Sequence, residues 1–417
     1  MKVVLWGAHL SRNLGGPSLL AGTCRVLAEA FGPVECSLFS LFAADDQARG
    51  KQRNVAILPY RKKDLYQAFV LAALVGALRK VGVKVRRSFR NPVLGPIAQA
   101  DWVADINGIM LTDLFPSARG LLEQAMQLLI PVWLGKPMVK FTQDMGPFQV
   151  PLNRWVAKFC LPRLALVLVR SEASRQNLES IGIRENVRVR PDTAFLLEPA
   201  DPARIGQILA AEGLVRRPRV ALVASRQVDR RIRQMEGTAP EAPNSYVRLL
   251  AAAADHLVET QGAEVVFIPN ELAREPGGYD DESVSRKIAA EMKQAGAARI
   301  LSRGYDAGEL KGVIGACDLV VTSRYHSTVA ALSQGVPTLV VGWGYKYGEL
   351  MGLAGQERHV FDFARARAGE IVERIDAMWG ELDAIRAAIE PCIPRIRSAV
   401  LAGGQWVREA VGLEPMA

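Results

Sequence analysis

Short apolar runs, continuous rather than alternating, constrain this 417-residue chain more than any other feature. KVVLWG, VECSLFSL, NVAILPY, DWVADING, PMVKFTQ and LALVLV lie in its first half; RVALVA, EVVFIP, DLVVTS and TLVVGW lie in its second. Apolar stretches of this length without alternation suit parallel strands buried on both faces. Helical patterns at 245–260, 282–295 and 306–316 separate the later runs, which is the βαβ arrangement. The chain is also too long for one ordinary domain. The expected fold class is therefore α/β, with two doubly wound Rossmann-like domains facing across a cleft. Residues 1–200 make the first domain on this reading, and 201–218 a polar, proline-bearing linker. Residues 219–366 make the second domain, and 367–417 are C-terminal helices able to pack back on the first. In such folds ligands bind outside the carboxyl ends of the strands.

Composition narrows the partners. A hydrophobic share of 49% with 23% charged residues is that of a globular chain. No apolar run reaches the length of about 18 residues that crosses a bilayer, and the start, MKVVLWGAHLSRN, reads as a first strand rather than a signal peptide. Five scattered cysteines show no metal-binding spacing, which predicts a reducing, cytoplasmic setting and no metal site. The net charge of +9 calls for an anionic partner. Basic patches interleaved with aromatics are missing, so nucleic acid is not expected.

VTSRYHSTVAALSQGVP, residues 321–337, concentrates chemistry. A buried strand ends at about Thr322, and a helix starting near Ser327, capped by Ser327 or Thr328, stops at Gly335-Val336-Pro337. Ser323, Arg324, Tyr325 and His326 therefore occupy the turn between strand and helix. Unpaired N–H groups and the helix dipole favour an anion there. Arg324 adds a fork matched to carboxylate or phosphate, and His326 titrates near neutrality and can move a proton. An anion plus a proton is what this turn suits; a structural bridge with two caps is the plainer alternative.

The run from DAGELKGVIGACDLVVTSRYHSTVAALSQGVPTLVVGWGYKYGELM resembles the signature region of the polysaccharide pyruvyl transferase family. GAHLSRNLGG, QDMGPF, VRSEASRQNLESIGI, RPDTAF and the paired Asp280-Asp281 echo the same family in the same order. The resemblance implies a GT-B-like fold and transfer of a pyruvyl unit from phosphoenolpyruvate to paired sugar hydroxyls as a cyclic ketal. Phosphoenolpyruvate is then a co-substrate, and no metal or nucleotide cofactor is expected. The family's histidine falls on His326 as the catalytic acid, and its arginines fall on Arg324 and on Arg226 as donor anchors. One departure stands out. Many members read N-x-G-D in the loop after the first strand, whereas this chain reads Asn13-Leu14-Gly15-Gly16, without the acidic residue.

Around this centre, Ser327, Tyr325 and Lys346 are expected beside the donor, although Lys346 also reads as an exposed loop lysine. Gly342, Gly344 and Gly348 lack the dinucleotide spacing and read as close backbone packing. Asn13, Gly15 and Gly16 are expected to face the acceptor, with a tight turn into a helix over 17–31 as the alternative. Asp144, Asn107 and His9 are weaker acceptor candidates. Asp280 and Asp281 precede a helix and read first as caps, with Asp281 also an acceptor candidate. The arginines of RQVDRRIRQM beyond Arg226 read as a solvated lip, and His256 and His359 have no constellation.

RKKDLYQAFVLAALVGALRKVGVKVRRSFR, 61–90, has an apolar centre too short to span a bilayer and basic residues at both ends. It can cap the first sheet or lie in the headgroup layer of a membrane, which would suit a lipid-linked acceptor at the inner face. The competing activity is a nucleotide-sugar glycosyltransferase or epimerase on the same fold. Donor loops of that class offer carboxylates to sugar hydroxyls, where this turn offers Arg324 and His326. A binding protein that has lost its chemistry is the third class.

Overall fold

Each apolar run forms a strand, and every strand pairs in parallel with its neighbours. The computed structural model describes residues 1–11, 13–51, 54–83, 85, 89–113, 117–214, 218–273, 278–301, 304–342 and 345–413. Two compact units result. Unit 1 holds residues 1–11, 16–196 and 397–417, and unit 2 holds 12–15 and 197–396.

Unit 1 is built on β1 (Lys2–Trp6), β2 (Glu35–Ser40), β3 (Ala56–Pro59), β4 (Trp102–Asp105), β5 (Met138–Gln143), β6 (Leu166–Val169) and β7 (Val187–Val189). Their order in the sheet is β3-β2-β1-β4-β5-β6-β7. Its helices are α1 (Gly15–Phe31), α2 (Ala43–Lys51), α3 (Lys62–Lys80), α4 (Leu94–Gln99), α5 (Ala118–Trp133), α6 (Pro151–Cys160) and α7 (Glu172–Ser180). Strand order advances one way from β1 to β3 and the other way from β4 to β7. Right-handed crossovers therefore put α1 and α2 on one face and α3 to α7 on the other.

Unit 2 begins with α8 (Pro202–Ala211), followed by β8 (Arg219–Val223), α9 (Arg226–Glu236), α10 (Ser245–Gln261), β9 (Glu264–Phe267) and α11 (Asp281–Glu291). Then come β10 (Ala298–Ile300), α12 (Ala307–Gly315), β11 (Leu319–Thr322), α13 (Tyr325–Leu332), β12 (Thr338–Gly342), α14 (Tyr345–Gly352) and β13 (Val360–Asp362). The sheet order is β10-β9-β8-β11-β12-β13. β8 and β11 are neighbours from which the chain winds in opposite directions, so their carboxyl ends flank the topological switch point.

The stretch 201–218, read from sequence as a linker, carries α8, whose Ile205 packs where a Cβ on Gly312 of α12 would sit. The tail forms α15 (Ala368–Trp379), α16 (Leu382–Ile389) and α17 (Cys392–Ala410). α15 and α16 belong to unit 2, and from Arg397 onward α17 belongs to unit 1. There the Arg190 guanidinium lies 3.6 Å over the Trp406 ring, and Arg408 Nη1 donates to Ala30 O at 2.7 Å.

Candidate functional site

Four strand ends of unit 2 supply the site. Arg226 follows β8, Asn270 and Glu271 follow β9, Ser323 to Ser327 follow β11, and Lys346 follows β12. Asp281, the first residue of α11, ties the first three together. Its fully buried carboxylate accepts backbone N–H bonds from Arg226 at 2.9 Å, Asn270 at 3.2 Å and Glu271 at 2.7 Å, and pairs with Arg324 Nη2. Glu271 then bridges the two arginines: one oxygen pairs with Arg226 Nη2, and the other lies 2.9 Å from Arg324 Nη1. Arg226 and Arg324 are thus brought to a single carboxylate.

Two tyrosines fix the turn after β11. The buried Tyr246 hydroxyl accepts from Ser225 N at 2.9 Å and donates to Ser323 Oγ at 2.8 Å, while Tyr347 donates to Ser323 O at 2.9 Å. Asn270 reaches the next residues, donating from Nδ2 to Ser327 Oγ at 2.7 Å and accepting from Leu14 N at 3.1 Å. Asn13 forms an antiparallel bridge with Glu271. The Gly15 backbone lies so close to the His326 ring that a Cβ there would fall 2.5 Å from Nδ1. Asn13 to Gly15 therefore group with the Arg324–His326 segment in unit 2.

The charges are coupled. Burial pushes the Asp281 carboxyl up from its ordinary value, against the pull of Arg324. Burial also opposes the charge on Arg324, but Asp281 and Glu271 hold it above the usual arginine value. Glu271 is likewise partly buried, yet the two guanidiniums keep its carboxyl below the ordinary range. The four charges cancel formally. What remains is the positive end of α13, which no side chain at its N-cap closes, since Asp281 already accepts from the first amide of α9. Lys346 adds a cation whose Nζ stands 5.9 Å from the Tyr325 ring centroid. The Nε atoms of Arg226 and Arg324 are buried with no hydrogen-bond partner among the described residues. A buried donor in that state costs about 1–3 kcal/mol until a ligand satisfies it.

Several sequence expectations change here. α13 starts at Tyr325 with Arg324 at its N-cap, so Ser327 and Thr328 are not its caps. Ser327 receives Asn270 instead, and Thr328 Oγ1 bonds back to Arg324 O at 3.0 Å. Asp280 caps α11 through Ser283, and Asp281 faces the arginines. The contrast with carboxylate-bearing donor loops also weakens, because Glu271 and Asp281 are both present. Sequence reading missed Glu271 and Asn270; they lie just past EVVFIP, at the same strand-end position that drew attention to Arg324.

Other candidates lie elsewhere. Asp144 is buried in unit 1, where it accepts from Arg170 Nη2 at 2.6 Å and Ser171 Oγ at 3.1 Å. Asn107 donates to Asp105 at 2.7 Å, and the His9 ring stands edge-on to Phe42. Gly16 groups with unit 1, where a Cβ would fall 2.5 Å from His9 O, so the acidic residue of related loops does not fit. A Cβ on Gly342 would strike the Tyr347 ring at 2.6 Å, as close packing requires, whereas Gly348 meets nothing within 4 Å and Gly344 lies outside the described residues. Among the lip arginines, Arg233 lies 4.8 Å over the Tyr279 ring, while Arg230 and Arg231 are exposed.

Comparison with known proteins places this geometry. The polysaccharide pyruvyl transferase family matches residues 68–345 of the chain. The amylovoran biosynthesis protein AmsJ of Erwinia amylovora is 19% identical over 410 residues, covering 95% of this chain and 96% of that protein. The fold is similar to that of Anabaena Alr3699/HepE, solved with UDP and glucose (TM-score 0.60, 15% identity, 99% of each chain). It is also similar to S. aureus MnaA, solved with UDP (TM-score 0.62, 11% identity, 99% of this chain and 97% of that one). At those identities the likeness is one of fold.

Proposed function

The chain belongs to the polysaccharide pyruvyl transferase family, and from that premise we propose that it moves the pyruvyl unit of phosphoenolpyruvate onto paired hydroxyls of a sugar. The observation that carries this reading is the convergence on one carboxylate of Arg226 and of Arg324, which stands two residues before His326 in the chain, with both Nε donors left over. Two guanidiniums so placed suit a donor bearing a carboxylate and a phosphate, at about 1.5–3 kcal/mol for each charge-assisted bond. Ser327, Tyr325 and Lys346 line the same turn.

In the proposed reaction His326 gives a proton to the donor's methylene carbon, and the adjacent carbon becomes an oxocarbenium-like electrophile. One sugar hydroxyl attacks it and returns its proton to His326. The second hydroxyl then displaces phosphate, its proton leaving with that group, and closes the ketal. General acid–base help of this kind is worth about 10²–10⁴ in rate. The arginines stabilise charge on the departing phosphate. No metal or nucleotide cofactor enters this scheme. Asn13 and Gly15, which share the site with His326, are proposed to meet the acceptor, and Asp281 to position the arginines. A lipid-linked acceptor at the inner face of a membrane belongs to the same reading.

The test is a donor ranking followed by turnover. Phosphoenolpyruvate is expected to raise the melting temperature more than UDP- or GDP-sugars, and His326→Asn to abolish phosphate release while donor binding stays measurable. Stabilisation by nucleotide-sugars alone, or full turnover by His326→Asn, would overturn the proposal.

A further inference from the structure

α3 is apolar on both sides. Its buried stripe, Leu65, Ala68, Ala72 and Val75, packs toward α5 and the sheet. Its opposite stripe runs Val70, Leu71, Leu74 and Leu78 at helical spacing and continues into Val81 and Val83 past the helix end. These side chains are in the open: Val70 is 59% exposed, Leu74 58% and Val81 75%. A helix apolar all round belongs inside a protein or against another apolar phase, and an apolar stripe left open on a soluble surface marks an interaction site.

A second element on the same face repeats the pattern. α6 flanks α5 on the side away from the α3 end of the sheet, and its outer stripe is Leu152, Trp155 and Phe159. Trp155 is 62% exposed and stacks on Phe159 with ring centroids 5.5 Å apart. Arg163 lies 4.2 Å over the Phe159 ring.

Charge decides what covers this face. Arg61, Lys62, Lys63, Arg79 and Lys80 sit at the two ends of α3, exposed Arg154 and Lys158 lie on α6 beside the aromatic stripe, and Arg163 follows it. α3 and α6 together carry one acidic residue, Asp64, which is buried. The nearby Glu123 is held by Lys62 at 2.8 Å and Arg119 at 3.1 Å. Apolar and aromatic side chains ringed by cations match the boundary between acyl chains and anionic headgroups. A second copy of this chain would set these cations against one another.

We propose that the α3–α6 face of unit 1 docks the protein on an anionic lipid surface. No helix of the described residues is long and apolar enough to span a bilayer, so the contact is interfacial. Lys84, Arg86 and Arg87, which the sequence reading assigned to the same segment, lie outside the described residues. The inference deepens the lipid-linked acceptor in the reading above, yet it rests on this surface alone.

Vesicle flotation of the full chain tests it, with phosphatidylcholine vesicles and with vesicles containing about a third phosphatidylglycerol. Binding to the anionic vesicles, falling at least tenfold in Trp155→Ala/Phe159→Ala, in Val70→Ser/Leu74→Ser and in Arg154→Glu/Lys158→Glu, is expected. Unchanged melting temperatures would show that these exposed substitutions leave the fold intact. Equal binding by wild type and variants, no binding, or a lipid-free dimer that the same variants convert to monomer would overturn the proposal. Donor binding and phosphate release on a soluble acceptor, measured alongside, fail only if the catalytic reading fails.

Discussion

Glu271 sets the charge balance of the site. It occupies both guanidiniums, so any anion reaching them must share or displace it. Glu271→Gln keeps the side-chain outline and removes one negative charge. At an effective dielectric near 20 a like charge about 4–8 Å from the ligand costs about 2–4 kcal/mol, so its loss predicts phosphoenolpyruvate binding at least roughly 30-fold tighter by calorimetry. Weaker binding would show instead that Glu271 presents the arginines to the ligand. Arg324 and His326 drew attention in the sequence because they fall just past a strand end, although the structure places Arg324 at the N-cap of α13 and His326 in its first turn, where the sequence reads as a turn. Glu271 was not, since a lone glutamate past a strand carries no signal until β9 is known to lie beside β8. Gly16 was legible only as a departure; its reason is the backbone of His9, invisible in sequence.

At the scale of elements, the continuous apolar runs foretold their strands, while β7, β10 and β13 were missed. Each spans three residues at or beside a sheet edge, too short for an apolar run to register. The turn leading into β13 carries a pH response. His359 is buried, accepts from Arg358 Nε at 3.1 Å, and is pushed down to about 4 by burial, with Arg358 and Arg374 adding to the effect. Unfolded histidine titrates near 6.5. Between those values the unfolded chain binds a proton that the folded chain refuses. Stability is therefore complete above about pH 6.5 and is lost as pH falls toward 4, by up to ~1.4 kcal/mol per pH unit. Thermal melts should show this slope, and His359→Gln should flatten it. Glu271, held below the ordinary carboxylate range, is lost by the same sign rule only at lower pH still.

Across the whole molecule, α17 returns the chain to the unit in which it began. Val400 and Val407 are buried there, and a Cβ on Gly404 would fall 2.7 Å from Ala30 of α1. Removing 397–413 should cost unit 1 roughly 3–6 kcal/mol from the two valines alone. Hydrogen exchange should then show protection lost in α1 and the strands beside it, with unit 2 amides unchanged. Uniform loss over both units would contradict the assignment of α17. The sequence by itself determined the parallel strands, their grouping into two sheets and the strand-to-helix junction that carries Arg324 and His326, because burial on two faces and such junctions leave local patterns. Only the tertiary structure decided which carboxylates meet the arginines, that Asn13 to Gly15 join Glu271 and His326 in unit 2, and that α3 and α6 leave apolar faces open. Those outcomes depend on which strand ends become neighbours and on what remains uncovered, and neither is encoded within any single stretch of chain.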